Sequence, residues 1–521
     1  MSVISLLKKT GIHCSHEIRA TFHTNPQQDR SESAIAVNPL DTNNLIGVSK
    51  LFYDITKYKF TVGAIYSVDA GLTWKESASL ELLPGWEGLT DPSVVFDQTG
   101  TAYLMTESLI FNYETDPDYD PKIADDIVIK EMVIYKSEDK GATWGKPIIV
   151  SKNRDDNPNF DRPWITVDRN SGNLYCAWGA GKLQFARSDN RGRNWNGMGS
   201  QSIDNFIADA GLPEINVDSK GNIHLLSLGP LPYISYLRSA DKGNSFKTEK
   251  KIANNLSLAL NPLPGATFRL WGGLSACTLN KKVFVGWADN REKVSRIYFT
   301  YSNNYGDTWP SDSGLPLLPE LTADKFHDFF PQIVATANGV IGCAFYRYYE
   351  DSKFIDVMFT ASFDGGKSFM PSQKLNDASW NPATNAPWSH GDSNVTFIGD
   401  YFGLDADQEN FYVLWTNTKD GVQELYFNTV YTTVHTILIP DNRKRPKFEI
   451  TDIVSNIDVE VLKAIAVDGG GYIIVKGRII KVPPRGPYDK VVHAIAKILS
   501  SGWKEGDDNS RPIRETEKSK I

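Results

Sequence analysis

One short string recurs six times along the chain and constrains the fold more than any other feature. It reads Ser-x-Asp/Asn-x-Gly-x-x-Trp/Phe, and successive copies start 70, 51, 51, 63 and 60 residues apart. A string repeated at such intervals indicates one structural unit that the chain uses several times. The copies are SVDAGLTW from Ser67, SEDKGATW from Ser137, SDNRGRNW from Ser188, SADKGNSF from Ser239, SNNYGDTW from Ser302 and SFDGGKSF from Ser362.

The residue types of this string are those of a tight turn held by its own side chains. The Asp or Asn side chain accepts backbone N–H bonds across the turn, and the Gly permits a positive φ. The Ser or Thr hydroxyl adds a further local hydrogen bond, and the closing Trp or Phe packs on the strands. The string therefore predicts how the chain turns, and it does not predict what the protein binds.

Each copy follows a strand-like run, and two more such runs precede it. Each unit is thus predicted to be a four-stranded antiparallel sheet of about 50 residues, the size of a propeller blade. A seventh unit lacks the string, and either Ile18 to Phe22 or Thr436 to Ile439 could supply the strand that closes the ring. The first strands of the seven units are predicted to begin near Ala34, Ser93, Trp164, Pro213, Leu274, Gln332 and Gly403.

The six strings resemble the Asp-box, or bacterial neuraminidase, repeats of the sialidase-like β-propeller superfamily, over roughly residues 30 to 430. The seven units counted along the chain predict an all-β, seven-bladed β-propeller, whereas the resemblance leaves a six-bladed ring as the alternative because sialidases have six blades. The resemblance also implies a carbohydrate-active protein. The superfamily includes sialidases, xyloglucan hydrolases, polysaccharide lyases, sorting receptors and assembly factors, so the fold alone leaves the activity open.

The sequence predicts four regions. Residues 1–29 form an N-terminal segment that could supply the closing strand, 30–440 the propeller, 441–502 a small α+β appendage, and 503–521 a charged tail predicted to be disordered. Within the appendage, Tyr472 to Val482 reads as a β-hairpin that turns at Lys476-Gly477. Pro487 to Ser501 reads as a helix with one apolar stripe, which is docked on its own domain or offered to a membrane or a protein partner.

Charge and composition narrow the classes of partner. The net charge of −8 and the pI near 5.6 argue against a nucleic acid or an anionic membrane surface as the partner. No apolar run approaches the roughly 20 residues of a membrane-spanning helix, so no membrane span is predicted. The N-terminal MSVISLLKKTG lacks the pattern of a secretory signal, which predicts a cytoplasmic protein or export by a non-standard route.

The candidate site lies where the innermost strands of a propeller begin, at one rim of the central channel, because residues distant in sequence converge there. The residues in front of the seven first strands are mostly acids, with several arginines and aromatics. Carboxylates serve as general acids and bases, arginines bind carboxylates, and aromatic faces stack on sugar rings, so the set predicts a glycan or glycoconjugate as ligand. These rim residues are Arg30, Glu32, Asp91, Asp161, Arg162, Asp209, Glu214, Arg269, Trp271, His327, Asp328, Asp400 and Tyr401.

Two hypotheses for function follow from the rim. The first is an exo-glycosidase that acts on an acidic sugar, and the second is a non-catalytic propeller that binds a glycan or protein as an assembly module. An Asp in front of a strand also commonly caps a turn or bonds neighbouring blades, which favours the second. Under the first hypothesis the catalytic candidates are Asp91, Asp161, Asp328 and Tyr401, and the substrate-binding candidates are Arg162, Arg269, Trp271, His327, Asp400 and Glu32.

The family resemblance adds expectations for the arginines and the tyrosine. Sialidases resemble one another in three arginines that hold the substrate carboxylate, a Tyr nucleophile paired with a Glu, and an Asp acid/base. Their first arginine usually lies in a Phe-Arg-Ile-Pro-like string, whereas the one Phe-Arg here is Phe268-Arg269 in the fifth unit. Arg162, Arg269 and Arg347 are the candidates for such a cluster, and Tyr401 has no identifiable partner Glu.

No cofactor and no metal centre are predicted from motifs. The sequence has no phosphate-binding glycine loop, no nucleophile elbow and no HExxH string. Calcium is the one ion that the sequence leaves open, either on the acidic rim or in the stretch DPDYD from Asp116 to Asp120, which lacks the ligand spacing of an EF-hand.

Overall fold

The computed structural model describes residues 3–23, 28–111, 127–152, 160–180, 182–202, 212–228, 232–258, 262–271, 273–310, 314–318, 325–384, 386–389, 392–440, 461–467, 470–475, 478–482 and 510–512. Over these ranges the regular structure is almost entirely β-strand, with one short 3₁₀ helix at Ile55–Lys57. The chain divides into two compact units, Cys14–Val430 and a second formed by Met1–His13 with Tyr431–Ile521.

The first three repeats each form a four-stranded antiparallel sheet. Two strands precede them, β1 (Val3–Cys14) and β2 (Ile18–Arg19). Blade 1 consists of β3 (Arg30–Val37), β4 (Leu45–Asp54), β5 (Lys59–Ser67) and β6 (Lys75–Glu76). Blade 2 consists of β7 (Gly88–Phe96), β8 (Ala102–Phe111), β9 (Ile127–Ser137) and β10 (Ile148–Lys152). Blade 3 consists of β11 (Asp161–Val167), β12 (Leu174–Ala180), β13 (Lys182–Ser188) and β14 (Asn196–Ser202).

The next three repeats have the same strand order. Blade 4 consists of β15 (Leu212–Val217), β16 (Ile223–Leu228), β17 (Tyr233–Ser239) and β18 (Lys250–Asn254). Blade 5 consists of β19 (Leu274–Leu279), β20 (Lys282–Asp289), β21 (Arg296–Ser302) and β22 (Leu315–Pro316). Blade 6 consists of β23 (Phe326–Ala335), β24 (Ile341–Tyr349), β25 (Ile355–Ser362) and β26 (Gln373–Lys374). A separate two-stranded sheet follows, β27 (Trp388–Ser389) and β28 (Asp392–Thr396).

The seventh blade is completed by the start of the chain. Its three later strands are β29 (Gly403–Ala406), β30 (Asn410–Asn417) and β31 (Glu424–Pro440), and β2 pairs with β31. Ile18 lies opposite Phe427, so of the two predicted closing segments it is Ile18 to Phe22 that pairs here. Buried Glu424 holds this N-terminal segment: it accepts hydrogen bonds from the Thr21 hydroxyl and the His23 backbone N–H.

The inner strands of the blades contact one another in a closed ring. The order is β3, β7, β11, β15, β19, β23 and β29, and β29 returns to β3. The fold is therefore a seven-bladed β-propeller, as the repeat predicts, and the six-bladed alternative is wrong. Apolar layers between successive blades form the core, for example that of Ile46, Val48, Val94, Leu104 and Val133 between blades 1 and 2.

The repeated strings form the predicted turns between the third and fourth strands of blades 1–6. In blade 2 the Asp139 carboxylate accepts hydrogen bonds from the Thr143 N–H (2.9 Å) and hydroxyl (2.6 Å), and the Ser137 hydroxyl accepts from the Gly141 N–H (3.0 Å). Gly141 has a φ of 92°, and a Cβ there would meet a side-chain carbon of Ile46 at 2.7 Å. The turn thus closes on itself and packs on the preceding blade.

This geometry predicts the effect of changing the turn carboxylate. We expect Asp139→Ala to lower the free energy of unfolding by about 1 kcal/mol, because exposed hydrogen bonds to a charged group are worth little more. Asp139→Asn should be nearly neutral, since Asn190 and Asn304 hold the same place in the third and fifth repeats. Urea unfolding of the two variants measures both, and an Asn variant as unstable as the Ala variant would contradict this account.

The second unit contains strands from both ends of the chain. β1 pairs with β31, and β32 (Val461–Val467), β33 (Gly470–Val475), β34 (Arg478–Val482) and β35 (Ser510–Pro512) form one sheet. Val475 lies opposite Arg478, which confirms the predicted hairpin around Lys476-Gly477. The predicted helix at Pro487 to Ser501 lies outside the described residues.

Among the described residues, no helix has the length and apolar character needed to cross a membrane.

Candidate functional site

Four inner strands carry a β-bulge at the rim, and a non-glycine residue with positive φ lies in each bulge. A bulge changes the direction in which a side chain points. A positive φ at a non-glycine residue costs on the order of 1–3 kcal/mol, and such residues cluster at functional sites. The strands continue through the bulges, so these rim residues lie within the strands. The sequence had predicted the rim residues in front of the strands. The four residues are Glu32 (φ 52°), Asp91 (52°), Arg162 (51°) and Phe330 (48°).

A buried lysine joins the first two of these side chains. The Nζ of Lys50, on β4, lies 2.7 Å from Glu32 Oε2 and 3.7 Å from Asp91 Oδ1. The rings of Phe60 and Phe397 lie 4.8 and 4.7 Å from the same nitrogen. Lys50 therefore binds carboxylates of two blades from below the rim. Lys50 lies on the second strand of blade 1, away from the start of an inner strand, so its place in the sequence did not mark it as a rim residue.

Burial and charge set different protonation states for these three groups. Burial alone would lower the pKa of Lys50, but the carboxylates of Glu32 and Asp91 raise it, so Lys50 stays charged. Burial, and then the charge of Asp91, raises the pKa of Glu32 to about 8. Burial would also raise the pKa of Asp91, but Lys50, the Thr90 hydroxyl (2.7 Å) and two arginines hold it below its usual range. Asp91 is thus the ionised carboxylate of the site.

Three carboxyl groups meet beside Lys50. One oxygen each of Asp91, Glu107 and Asp161 lies within 4.8 Å of the other two. Asp91 and Asp161 were predicted, whereas Glu107 was not, because it lies on the second strand of blade 2. It stands opposite Thr90 in the β7–β8 register, which brings its side chain to the bulge. Its sequence signal is slight: one acid inside the apolar run AYLMTESLIF.

Asp161 is the accessible member of the three. Protein groups surround its carboxyl, but the residue as a whole is exposed to solvent. Burial, and then the charge of Asp91, raises the pKa of Asp161 to about 7, although Arg162 and Arg269 oppose the shift. A carboxyl with this pKa holds its proton in a large fraction of molecules at neutral pH. Asp161 thus combines exposure to solvent with a raised pKa.

Glu107 is enclosed, and one of its carboxyl oxygens lacks a hydrogen-bond partner. The residue is 2% exposed, and its buried Oε1 has no hydrogen-bond partner. Burial raises its pKa well above the usual range, and the charges of Asp91 and Asp161 raise it further. Because an unpaired ionised carboxylate is very unfavourable in such a place, Glu107 is neutral at physiological pH.

Arg162 and Tyr401 stack beside the carboxyls. The guanidinium carbon of Arg162 lies 5.0 Å from the centre of the Tyr401 ring, and the Tyr401 hydroxyl donates a hydrogen bond to the Pro92 carbonyl at 3.2 Å. Burial, and then the charges of Glu32 and Asp91, raises the pKa of Tyr401 well above its usual range. Its hydroxyl therefore stays protonated, and its role as a nucleophile stays a prediction.

Arg269 approaches the site from the segment before blade 5. Its guanidinium binds Asp400 through two hydrogen bonds, one of them 3.2 Å from Nε, and lies 4.7 Å from the Phe397 ring. Its backbone N–H donates to the Thr396 carbonyl at 2.9 Å, which fixes the segment. Nearby Trp271 is 54% exposed and offers an aromatic face to solvent. Asp400 and Arg269 thus stand together, as the rim prediction requires.

The structure places Asp328 and His327 in a different environment. Asp328 is buried and accepts hydrogen bonds from Arg347 Nε (2.7 Å) and Nη2 (3.0 Å). His327 is fully buried, accepts the Ser295 N–H at Nδ1 (3.1 Å) and has Nε2 2.7 Å from Glu350 Oε1. The Ser295 contact joins blade 6 to blade 5, and the contacts with Arg347 and Glu350 lie within blade 6. Of the three arginines suggested as a cluster, Arg347 is the one held in this pair.

The remaining rim candidates are also placed by buried contacts. Arg30 is fully buried and binds both carboxylate oxygens of Glu76, at 2.9 and 2.8 Å. Burial raises the pKa of Glu214 well above its usual range, while the charge of Arg162 opposes that shift. Asp209 lies outside the described residues, as does the stretch from Asp116 to Asp120.

The charges at the rim do not balance when every group is ionised. Among the described residues, the acids Glu32, Asp91, Glu107, Asp161 and Asp400 lie around the cations Lys50, Arg162 and Arg269. Three of these acids, Glu32, Glu107 and Asp161, have raised pKa values, while that of Asp91 is lowered. Neighbouring titratable groups whose pKa values are shifted in opposite directions are the usual basis of acid–base chemistry. The oxygens within 4.8 Å could also surround a small cation such as calcium, although the Lys50 ammonium already lies 3.7 Å from Asp91.

No protein-family model matches the chain, and no curated protein matches it. Solved structures do. The chain is similar to a protein of unknown function from Dyadobacter fermentans (11% identity, 81% of this chain and 100% of that one, TM-score 0.46) and to the NanB sialidase of Streptococcus pneumoniae (13%, 69% and 70%, 0.42). It is also similar to an ulvan lyase of a polysaccharide lyase family (11%, 78% and 97%, 0.42). Sialidases and a polysaccharide lyase are thus among the structures to which the chain is similar.

Proposed function

We propose that the rim cluster is an acid–base site that cleaves a glycosidic bond, with Asp161 as general acid and Asp91 as the facing carboxylate. One observation carries the proposal: two neighbouring carboxyls, one accessible with its pKa raised to about 7, the other with its pKa lowered. Glycoside hydrolysis requires this division, since one carboxyl must donate a proton while the other stays charged.

The short distance between the two carboxyls indicates the stereochemistry. Their nearest oxygens lie within 4.8 Å, close to the roughly 5–5.5 Å of retaining enzymes and well below the 6.5–9.5 Å that leaves room for a water in inverting ones. Asp91 would then attack the anomeric carbon as Asp161 protonates the departing oxygen. In the second half of the reaction Asp161 would accept a proton from water as the water oxygen attacks the anomeric carbon and the bond to Asp91 breaks. We therefore infer retention of configuration at the anomeric carbon.

The cations and the exposed aromatic favour an acidic sugar as substrate. Arg162 and Arg269 lie close enough to lower the pKa of Asp161, so a substrate carboxylate beside Asp161 would meet their positive charge. The exposed face of Trp271 suits a sugar ring, which aromatic side chains commonly stack against. An acidic sugar at the end of a glycan chain fits this arrangement.

A second candidate is a propeller that binds a glycan without cleaving it. The observation that favours it is that Arg269 is already paired with Asp400 and Arg162 is stacked on Tyr401. Arginines so engaged are less free to clamp a substrate. A glycan could still lie on Trp271, and the carboxyl cluster would then serve only to join the blades.

A panel of aryl glycosides that includes an α-sialoside separates the two candidates. We expect turnover of at least one acidic glycoside, with product of retained configuration in a time course followed by NMR. Asp91→Asn should abolish that turnover, while Asp351→Asn should not, because Asp351 has a side chain that is 75% exposed on blade 6. Absence of turnover on every substrate, with a glycan still bound, would instead support the non-catalytic propeller.

A further inference from the structure

Glu107 is a third carboxyl of the site for which the proposed acid and its facing carboxylate leave no role. It is almost fully buried, its Oε1 has no hydrogen-bond partner, and it lies against the two groups that would do the chemistry. A structural carboxyl in such a place would be expected to accept hydrogen bonds from its surroundings. Its isolation therefore calls for a different account.

The distances allow Glu107 to exchange a proton with its neighbour. One oxygen of Glu107 and one of Asp161 lie within 4.8 Å of each other. Two successive O–H···O hydrogen bonds of about 2.7–2.8 Å each, bent at a shared water oxygen, span that separation. The neutral carboxyl of Glu107 is a donor, and the Asp161 carboxylate, once it has lost its proton, is an acceptor.

We propose that Glu107 is a positioning residue that shares its proton with Asp161, so that a minor fraction of molecules keeps the general acid protonated after the pair has lost its first proton, an inference that rests on the proposed role of Asp161. In the transfer the O–H bond of Glu107 breaks and an O–H bond of Asp161 forms, directly or through one water. The total charge of the cluster does not change. The negative charge moves from the accessible carboxyl to the enclosed one.

The charges around Glu107 determine the pH range in which the two carboxyls share one proton. The groups that act on Glu107 are Asp91, Asp161, Lys50 and Glu32; the acids raise its pKa and Lys50 lowers it. Because Glu107 binds its proton more tightly than Asp161 does, the pair keeps one proton after the first has left. The two carboxyls then titrate as a pair and not as separate residues. Above neutral pH, the fraction with the remaining proton on Asp161 would sustain activity.

The test is the pH dependence of kcat/KM in Glu107→Gln. The amide cannot release a proton, so we expect the alkaline limb to become a single ionisation and the activity that the wild type retains one pH unit above its midpoint to fall at least twofold, with kcat near pH 5 changed less than threefold. Glu107→Asp should retain much of the wild-type limb. Glu138→Gln, an exposed acid at the start of the blade 2 turn, is the matched control and should leave the profile unchanged. A profile of Glu107→Gln that superimposes on the wild type would overturn the inference.

A second readout does not depend on activity and separates this inference from the proposed function. Infrared difference spectroscopy of the protonated-carboxyl band should show one fewer titrating carboxyl in Glu107→Gln and an earlier ionisation of Asp161. If the wild type hydrolyses no glycoside but the band changes as described, the proton sharing stands and the glycosidase proposal fails. If calcium raises the melting temperature of the wild type and not of Glu107→Gln, the three carboxyls form a cation site and the proton sharing is wrong.

Discussion

Replacing Asp161 with asparagine should reduce kcat by about 10²–10⁴-fold on a glycoside with a poor leaving group, the usual contribution of a general acid. The amide keeps the size of the side chain but has no proton to give. A glycoside whose leaving group departs without protonation should lose much less, because Asp91 would still form the bond to the anomeric carbon. Comparing the two substrates shows whether Asp161 acts on the leaving group.

The pH profile and the stability of the same variant provide the controls. In the wild type, activity should fall as pH rises through about 7, where Asp161 loses its proton, and should fall again at acid pH as Asp91 gains one. A carboxyl whose pKa is raised in the folded state stabilises the fold only at low pH, and that contribution is lost as pH rises through the folded pKa. Asp161→Asn should therefore be at least as stable as the wild type at pH 8. An inactive variant that is also clearly less stable would contradict the assignment.

The blade architecture could be predicted because its signal is local. The string from Ser137 to Trp144 contains every group that closes its turn, so six copies predict six turns, and the strands between them follow by alternation. The seventh blade was predicted from its strands without the string. Closure by Ile18 could be named only as one of two options, because pairing with Phe427 depends on the completed ring.

The site was predictable only where it lies at the start of an inner strand. Asp91, Asp161 and Arg162 were found by that rule, yet the same rule selected Asp328, which binds Arg347. Nothing in the local sequence distinguishes an exposed Asp such as Asp161 from one in a buried ion pair, because the distinction depends on the side chain that the next strand contributes. Lys50 was missed for the same reason. The pairing of β4 with β3 places it beside Glu32, and no sequence motif predicts how two strands align.

Lys50→Met should be the most destabilising change at the site, lowering the free energy of unfolding at pH 7 by about 3–5 kcal/mol, the usual effect of removing one partner of a buried ion pair. Methionine preserves the apolar stem between Phe60 and Phe397, so the loss measures the ammonium group. Without it, Asp91 and Glu32 would face each other with no cation 2.7–3.7 Å away. Lys146→Met, at a side chain that is 83% exposed, should change stability by less than about 0.5 kcal/mol.

The pH dependence of that loss identifies the group responsible. The pKa of Glu32 is already raised to about 8 in the folded protein, and removing Lys50 would raise it further. Glu32 therefore favours the folded state at low pH, and this contribution disappears as pH rises through the folded pKa. The destabilisation by Lys50→Met should accordingly be smaller at pH 5 than at pH 8, and adding Glu32→Gln should recover part of it at pH 8. Equal losses at both pH values, with no recovery in the double variant, would show that Lys50 stabilises the fold through packing and not through its charge.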